Sequence, residues 1–64
     1  MKVVKAETRE EQIKVLKILE LNGYKWYSGQ SPTDYIPHDR ARKLGIKIPY
    51  ICLNEKNKTL INSL

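Results

Sequence analysis

Apolar residues recur at helical spacing in the first third of the chain. From Arg9 to Leu21 no Gly or Pro interrupts them. Thr8 precedes this run as a candidate N-cap, and Glu11 follows at the spacing of a capping box. Asn22-Gly23 comes directly after the run and favours a left-handed stop. The pattern predicts a helix over residues 9–21.

Two apolar residues of this helix fall outside its main apolar face, which consists of Gln12, Val15, Leu16 and Leu19, with Ile13 at its edge. Ile18 and Leu21 point elsewhere, beside lysines. Either other parts of the chain cover them, or they form a second contact with another copy of the chain or with a target. The sequence keeps both interpretations open.

Four other segments have the alternation or the β-branched content of strands. They are Lys2–Ala6, Tyr24–Ser28, Ile48–Leu53 and Thr59–Ser63. In the second segment, Trp26 alternates with Lys25 and Tyr27, so Trp26 is expected to point inward and the other two outward. A turn over residues 54–57, in which Asn57 is able to take a positive φ, is predicted to join the last two strands.

The stretch from Thr33 to Gly45 shows the least regular pattern. Pro37 is suited to be the first residue of a short helix that runs to Leu44 and stops at Gly45. An irregular loop is the alternative interpretation.

These elements predict a single α+β domain over residues 1–64. One helix would pack on a three- or four-stranded, mainly antiparallel sheet, in the order βαβ-loop-ββ. The helix would be a right-handed crossover if the first two strands were parallel. The expected core is Val15, Leu16, Leu19, Tyr24, Trp26 and Ile51. Because one helix covers only one face of a sheet, the other face should be polar or paired with a second copy.

Length and composition limit what supports this domain. A chain of 64 residues buries only about 60% of the surface that its unfolded form exposes. Its single Cys excludes an intrachain disulfide, and one Cys with one His cannot supply a four-ligand zinc site. We therefore expect no cofactor, and a homodimer as the additional support. No apolar run approaches the roughly 20 residues of a membrane span, and no signal peptide follows Met1, so a soluble cytoplasmic protein is expected.

The charge balance adds one feature. Twelve basic residues stand against 7 acidic ones, a formal charge of +5, which excludes a DNA mimic. Four cations lie close together in the second half of the chain: Arg40, Arg42, Lys43 and Lys47. Such a group is compatible with an acidic protein or with nucleic acid as partner.

Candidate catalytic groups are few. His38 and Asp39 are adjacent in sequence, which is not how a base and its orienting carboxylate usually meet. Cys52 lies between two apolar residues of a predicted strand, where a cysteine usually acts as a small buried apolar group. The glycines form no phosphate-binding loop. The sequence predicts that the protein is not an enzyme.

The segment from Leu19 to Gly29 reads L-E-L-N-G-Y-K-W-Y-S-G, and Tyr50-Ile51-Cys52-Leu53 precedes a terminal hairpin. This arrangement resembles small βαββ-type accessory proteins of bacteriophages and prophages. The resemblance covers most of the chain except residues 33–45, and no catalytic residues come with it. It implies a protein that binds and redirects a host or defence protein, in the cytoplasm of the host cell.

The function expected from the sequence is therefore non-catalytic binding of a host or defence protein. The candidate contacts lie in an exposed connection that is long for so small a domain: Tyr35, His38, Arg40, Arg42 and Lys43. The alternative is a nucleic-acid-binding module that uses Arg40, Arg42, Lys43, Lys47 and exposed aromatic residues such as Tyr27. A structural factor acting as a homodimer through Ile18 and Leu21 is a third interpretation.

Overall fold

A computed structural model describes residues 2–63 and shows an α+β fold, as predicted. The elements are β1 (Lys2–Val4), α1 (Arg9–Leu21), β2 (Lys25–Trp26), a 3-10 turn (Pro32–Asp34), α2 (Pro37–Leu44), β3 (Tyr50–Asn54) and β4 (Thr59–Ser63). The capping prediction for α1 is confirmed, because the Thr8 hydroxyl accepts a hydrogen bond from the Glu11 N–H at 3.1 Å.

The four strands form one mixed sheet in the order β1-β3-β4-β2. β3 pairs antiparallel with both β1 and β4, whereas β2 pairs parallel with β4. β1 and β2 therefore lie at opposite edges of the sheet. The two strands run in the same direction, because β1 and β4 are both antiparallel to β3 and β2 is parallel to β4. α1 is therefore a crossover connection between two parallel strands that are not neighbours in the sheet.

Three strands have boundaries that differ from the predictions. β1 ends at Val4 rather than at Ala6, and β3 begins at Tyr50 rather than at Ile48. β2 is confined to two residues because the chain turns at once: the Gly29 N–H donates to the Trp26 carbonyl at 2.7 Å. Pro49, which has no N–H to donate to a ladder, accounts for the late start of β3.

The left-handed residue of the β3–β4 turn is Lys58, with φ 53°, and not Asn57. The Asn54 side chain explains the shift, since its Oδ1 accepts from the N–H groups of Lys56 at 3.1 Å and Asn57 at 3.3 Å. This Asx-type turn displaces the left-handed position by one residue.

The predicted core is confirmed. Its buried members are Leu16, Leu19, Trp26, Ile51, Leu53 and Leu60, and Val15 and Tyr24 pack against them half-buried. Leu53 and Leu60 complete it because they face each other across the β3–β4 ladder.

Residues 37–44 form a helix, so the loop alternative is wrong. Gly45, at φ 69°, closes α2 in the left-handed conformation. Arg9 of α1 pairs with Asp39 of α2 at 2.9 Å, and Glu20 accepts a hydrogen bond from the Thr33 hydroxyl at 2.8 Å. These contacts attach the connection between β2 and β3 to α1.

The sheet face turned away from the helices is partly apolar. Val3, Cys52 and Ile61 lie side by side in register across β1, β3 and β4. Cys52 is only 7% exposed, whereas Val3 and Ile61 are 59% and 42% exposed. The polar alternative for this face is therefore wrong for this row of residues, and pairing with a second copy stays a prediction.

Candidate functional site

Tyr35 has a fixed position between the sheet and the connection that leads to α2. Its ring meets Trp26 edge to face, with 5.4 Å between the ring centroids and 77° between the planes. The Trp26 indole N–H in turn donates to the Pro32 carbonyl at 2.9 Å. Tyr35 is thus held by the core on one side while its hydroxyl lies at the surface.

A cleft of about 280 Å³, here called the Arg40 cleft, opens beside α2. Its walls include Tyr35, Pro37, Arg40, Ile46, Pro49 and Asn62. The helix stop positions one wall: the Ile46 N–H donates to the Ala41 carbonyl at 3.0 Å, which folds the chain back after Gly45.

A second cleft of about 310 Å³, here called the Tyr27 cleft, adjoins the first and shares Tyr35 and Asn62 with it. Its walls also include Trp26, Tyr27, Gln30 and Ile61. Tyr27 is 82% exposed, so its ring is available to a partner. The two clefts together are here called the recess, and Asn62, which borders both, donates from its amide to the Tyr35 hydroxyl oxygen at 3.4 Å.

The charge in this recess has one sign. Within residues 2–63, no acidic side chain lines either cleft. Arg40 pairs with no carboxylate in the described part of the chain. Because the Tyr35 hydroxyl accepts from Asn62, its own proton stays available for a ligand. The recess therefore presents a guanidinium and a phenolic donor among apolar walls.

The four cations singled out from the sequence do not form one patch. Helical geometry puts Arg42 about 160° around α2 from Arg40, whereas Lys43 lies about 60° from it. Lys47 lines a different cleft of about 260 Å³, together with Lys5 and Glu7. There the Glu7 carboxylate, hydrogen-bonded to Lys5 at 3.2 Å, raises the pKa of the Lys5 ammonium.

His38 and Cys52 lie in different layers of the fold. The His38 side chain is 15% exposed, and its Nδ1, 3.7 Å from an Asp39 carboxylate oxygen, makes no hydrogen bond within residues 2–63. Cys52 alternates along β3 with Ile51 and Leu53, which pack in the core, so it belongs to the opposite sheet face. Among residues 2–63, no group of three or more His, Cys, Asp or Glu is arranged to hold a metal ion.

Ile18 and Leu21 are exposed on α1, at 55% and 88%. The interpretation that other parts of the chain cover them is wrong for the described residues. In the described part of the chain, they line neither the Arg40 cleft nor the Tyr27 cleft.

Sequence reasoning missed most of the residues that line the recess, among them Ile46, Pro49 and Asn62. The sequence pattern places Asn62 in a strand and Ile46 after the stop of a helix, and it gives neither residue a role in binding. No local pattern distinguishes them, because the recess forms where the end of α2, the approach to β3 and the end of β4 meet.

Comparisons of the chain with protein families, with curated proteins and with solved structures found no match. Within residues 2–63, neither helix has the length and apolar composition needed to cross a bilayer.

Proposed function

We propose that this chain is a non-catalytic binding protein whose partner is another protein. The observation that supports this function is the recess formed by the Arg40 and Tyr27 clefts, which combines apolar walls with a few polar groups held in place. Recesses of this composition are typical of binding sites, where the apolar walls give affinity and the polar groups orientation. The separation of His38 from Cys52 supports a role without catalysis.

The recess, taken together with the resemblance to phage accessory proteins, leads us to propose a host or defence protein as the partner. Binding of this chain would modulate that protein in the cytoplasm. Tyr35 and Arg40 are the proposed central contacts, and Lys43, on the same side of α2 as Arg40, is the nearest additional cation. His38 contributes through its place in α2, since most of its side chain is covered.

A nucleic-acid-binding module is the second candidate, favoured by the exposed Tyr27 ring and by the net charge of +5. Proteins that bind single strands use a groove whose cations follow the phosphate backbone. Arg40 is the one cation lining the recess in the described part of the chain, while Arg42 and Lys47 lie elsewhere. This distribution supports a protein partner over a phosphate backbone.

Panning of a ribosome-displayed library of random 12-residue peptides tests the proposed function. Ile46 and Leu44 make a matched pair, since they flank Gly45 and are 47% and 56% exposed, but only Ile46 lines the recess. Peptides enriched on the wild-type protein should bind Ile46→Glu at least about tenfold more weakly and bind Leu44→Glu unchanged. Equal binding to both variants, or no enrichment, would contradict the proposed function.

A further inference from the structure

The chemistry of the recess also indicates what kind of segment it binds, an inference that rests on the proposed function. We propose that the occupant is an extended peptide segment with a Glu or Asp side chain next to an apolar one. The carboxylate binds in the Arg40 cleft and the apolar side chain in the Tyr27 cleft.

Charge complementarity selects the carboxylate. The Arg40 guanidinium has no acidic partner in the described residues, and no acidic side chain lines the recess around it. A guanidinium binds a carboxylate through two parallel hydrogen bonds, which are stronger than bonds between neutral groups. The Tyr35 hydroxyl, which accepts from Asn62 at 3.4 Å, donates its proton to the same carboxylate.

The second cleft selects the apolar neighbour. Its walls include the Trp26 and Tyr27 rings and Ile61, so a side chain there exchanges water for aromatic and aliphatic contacts. Because the two clefts share Tyr35 and Asn62, the two anchors of the segment are close in its sequence. The amide groups of Gln30 and Asn62 stand at the recess for hydrogen bonds to the peptide backbone.

A titration with three synthetic peptides tests this assignment. Each is acetylated and amidated, lacks Trp and Tyr, and has the centre Glu-Val-Leu, Gln-Val-Leu or Lys-Val-Leu. The amide chemical shift of Ile46, which lines the Arg40 cleft and not the Tyr27 cleft, reports the first cleft. Trp26 is the only tryptophan, so its single indole N–H signal reports the second.

The Glu peptide is expected to move these signals with an affinity about tenfold higher than the Gln peptide, and the Lys peptide to bind most weakly. Arg40→Gln should reduce the preference for Glu over Gln to no more than the few-fold share of the Tyr35 hydroxyl, while the matched variant Arg42→Gln, on the other side of α2, keeps it in full. Tyr35→Phe, which keeps the ring against Trp26 and removes the hydroxyl, should lower the Glu preference a few-fold.

Suppose that the three peptides bind equally and move the signals of the recess residues. The assignment of a Glu or Asp side chain to the Arg40 cleft would then be wrong, and the proposed function would still stand. An undiminished preference for Glu in Arg40→Gln would overturn this assignment as well. If no peptide moved these signals at millimolar concentration, this occupant would be wrong, and the panning experiment would decide the proposed function separately.

Discussion

The side chain of Gln12 accepts the N–H of His38, with 2.8 Å between Oε1 and the backbone nitrogen. This bond caps α2 from another helix, because Ile36, at the N-cap position of α2, has no side chain that can accept a hydrogen bond. The same amide group donates to the Ala6 carbonyl at 3.1 Å, so the fully buried Gln12 joins α1, α2 and the segment after β1.

Replacing Gln12→Met should destabilise the protein by about 2 kcal/mol or more, because a thioether chain of similar length leaves the His38 N–H and the Ala6 carbonyl without partners. Urea unfolding measures the loss. Gln30→Met is the control: Gln30 is exposed, so its variant should stay within about 0.5 kcal/mol of wild type. Equal midpoints for the two variants would contradict a structural role for the Gln12 amide.

Trp26→Ala should lower the free energy of unfolding by about 3–5 kcal/mol, since the ring is 5% exposed and packs in the core. For so small a domain, this should leave the variant largely unfolded in circular dichroism. Its neighbour supplies the control: Tyr27→Ala, at a side chain 82% exposed, should change stability by no more than about 0.5 kcal/mol. An unchanged melting temperature for Trp26→Ala would disprove the core assignment.

We expect a homodimer at micromolar concentration in sedimentation equilibrium, joined through Ile18 and Leu21, which are exposed side by side on α1. The double variant Ile18→Glu, Leu21→Glu should then be a folded monomer, because two buried carboxylates oppose the contact. Val3→Glu, on the open sheet face, should keep the dimer. A wild-type monomer at millimolar concentration would exclude this dimer, and loss of the dimer in Val3→Glu alone would place the contact on the sheet.

Fluorescence titration with short single- and double-stranded oligonucleotides should show no binding tighter than about 10⁻⁵ M at near-physiological salt, as expected for non-specific contacts alone. The reason is the spread of Arg40, Arg42 and Lys47 over separate parts of the surface. Submicromolar binding would instead favour the nucleic-acid function. A log–log salt slope of roughly −2 to −4, reduced by Arg40→Glu and Arg42→Glu, would then identify phosphate contacts.

The sequence by itself determined the elements whose signals are local. α1 has the predicted bounds because its cap, its apolar face and its stop all lie within residues 8–23. The core assignment of Leu16, Trp26 and Ile51 also followed from their spacing and size. The exposed connection between β2 and β3 also predicts Tyr35 and Arg40 as contacts, and both line the recess.

Only the tertiary structure decided the pairing of the strands, the cap of α2 and the shape of the recess. β2 could not be distinguished from a longer strand, because its end depends on a turn that bonds back to Trp26. The cap of α2 comes from Gln12, which lies 26 residues before His38 in the chain. The sequence of residues 37–44 alone therefore does not decide between a helix and a loop. Ile46, Pro49 and Asn62 become neighbours only when the sheet and α2 assemble. Local patterns encode local hydrogen bonds and faces, whereas a recess depends on contacts between distant segments, which no single stretch of sequence contains.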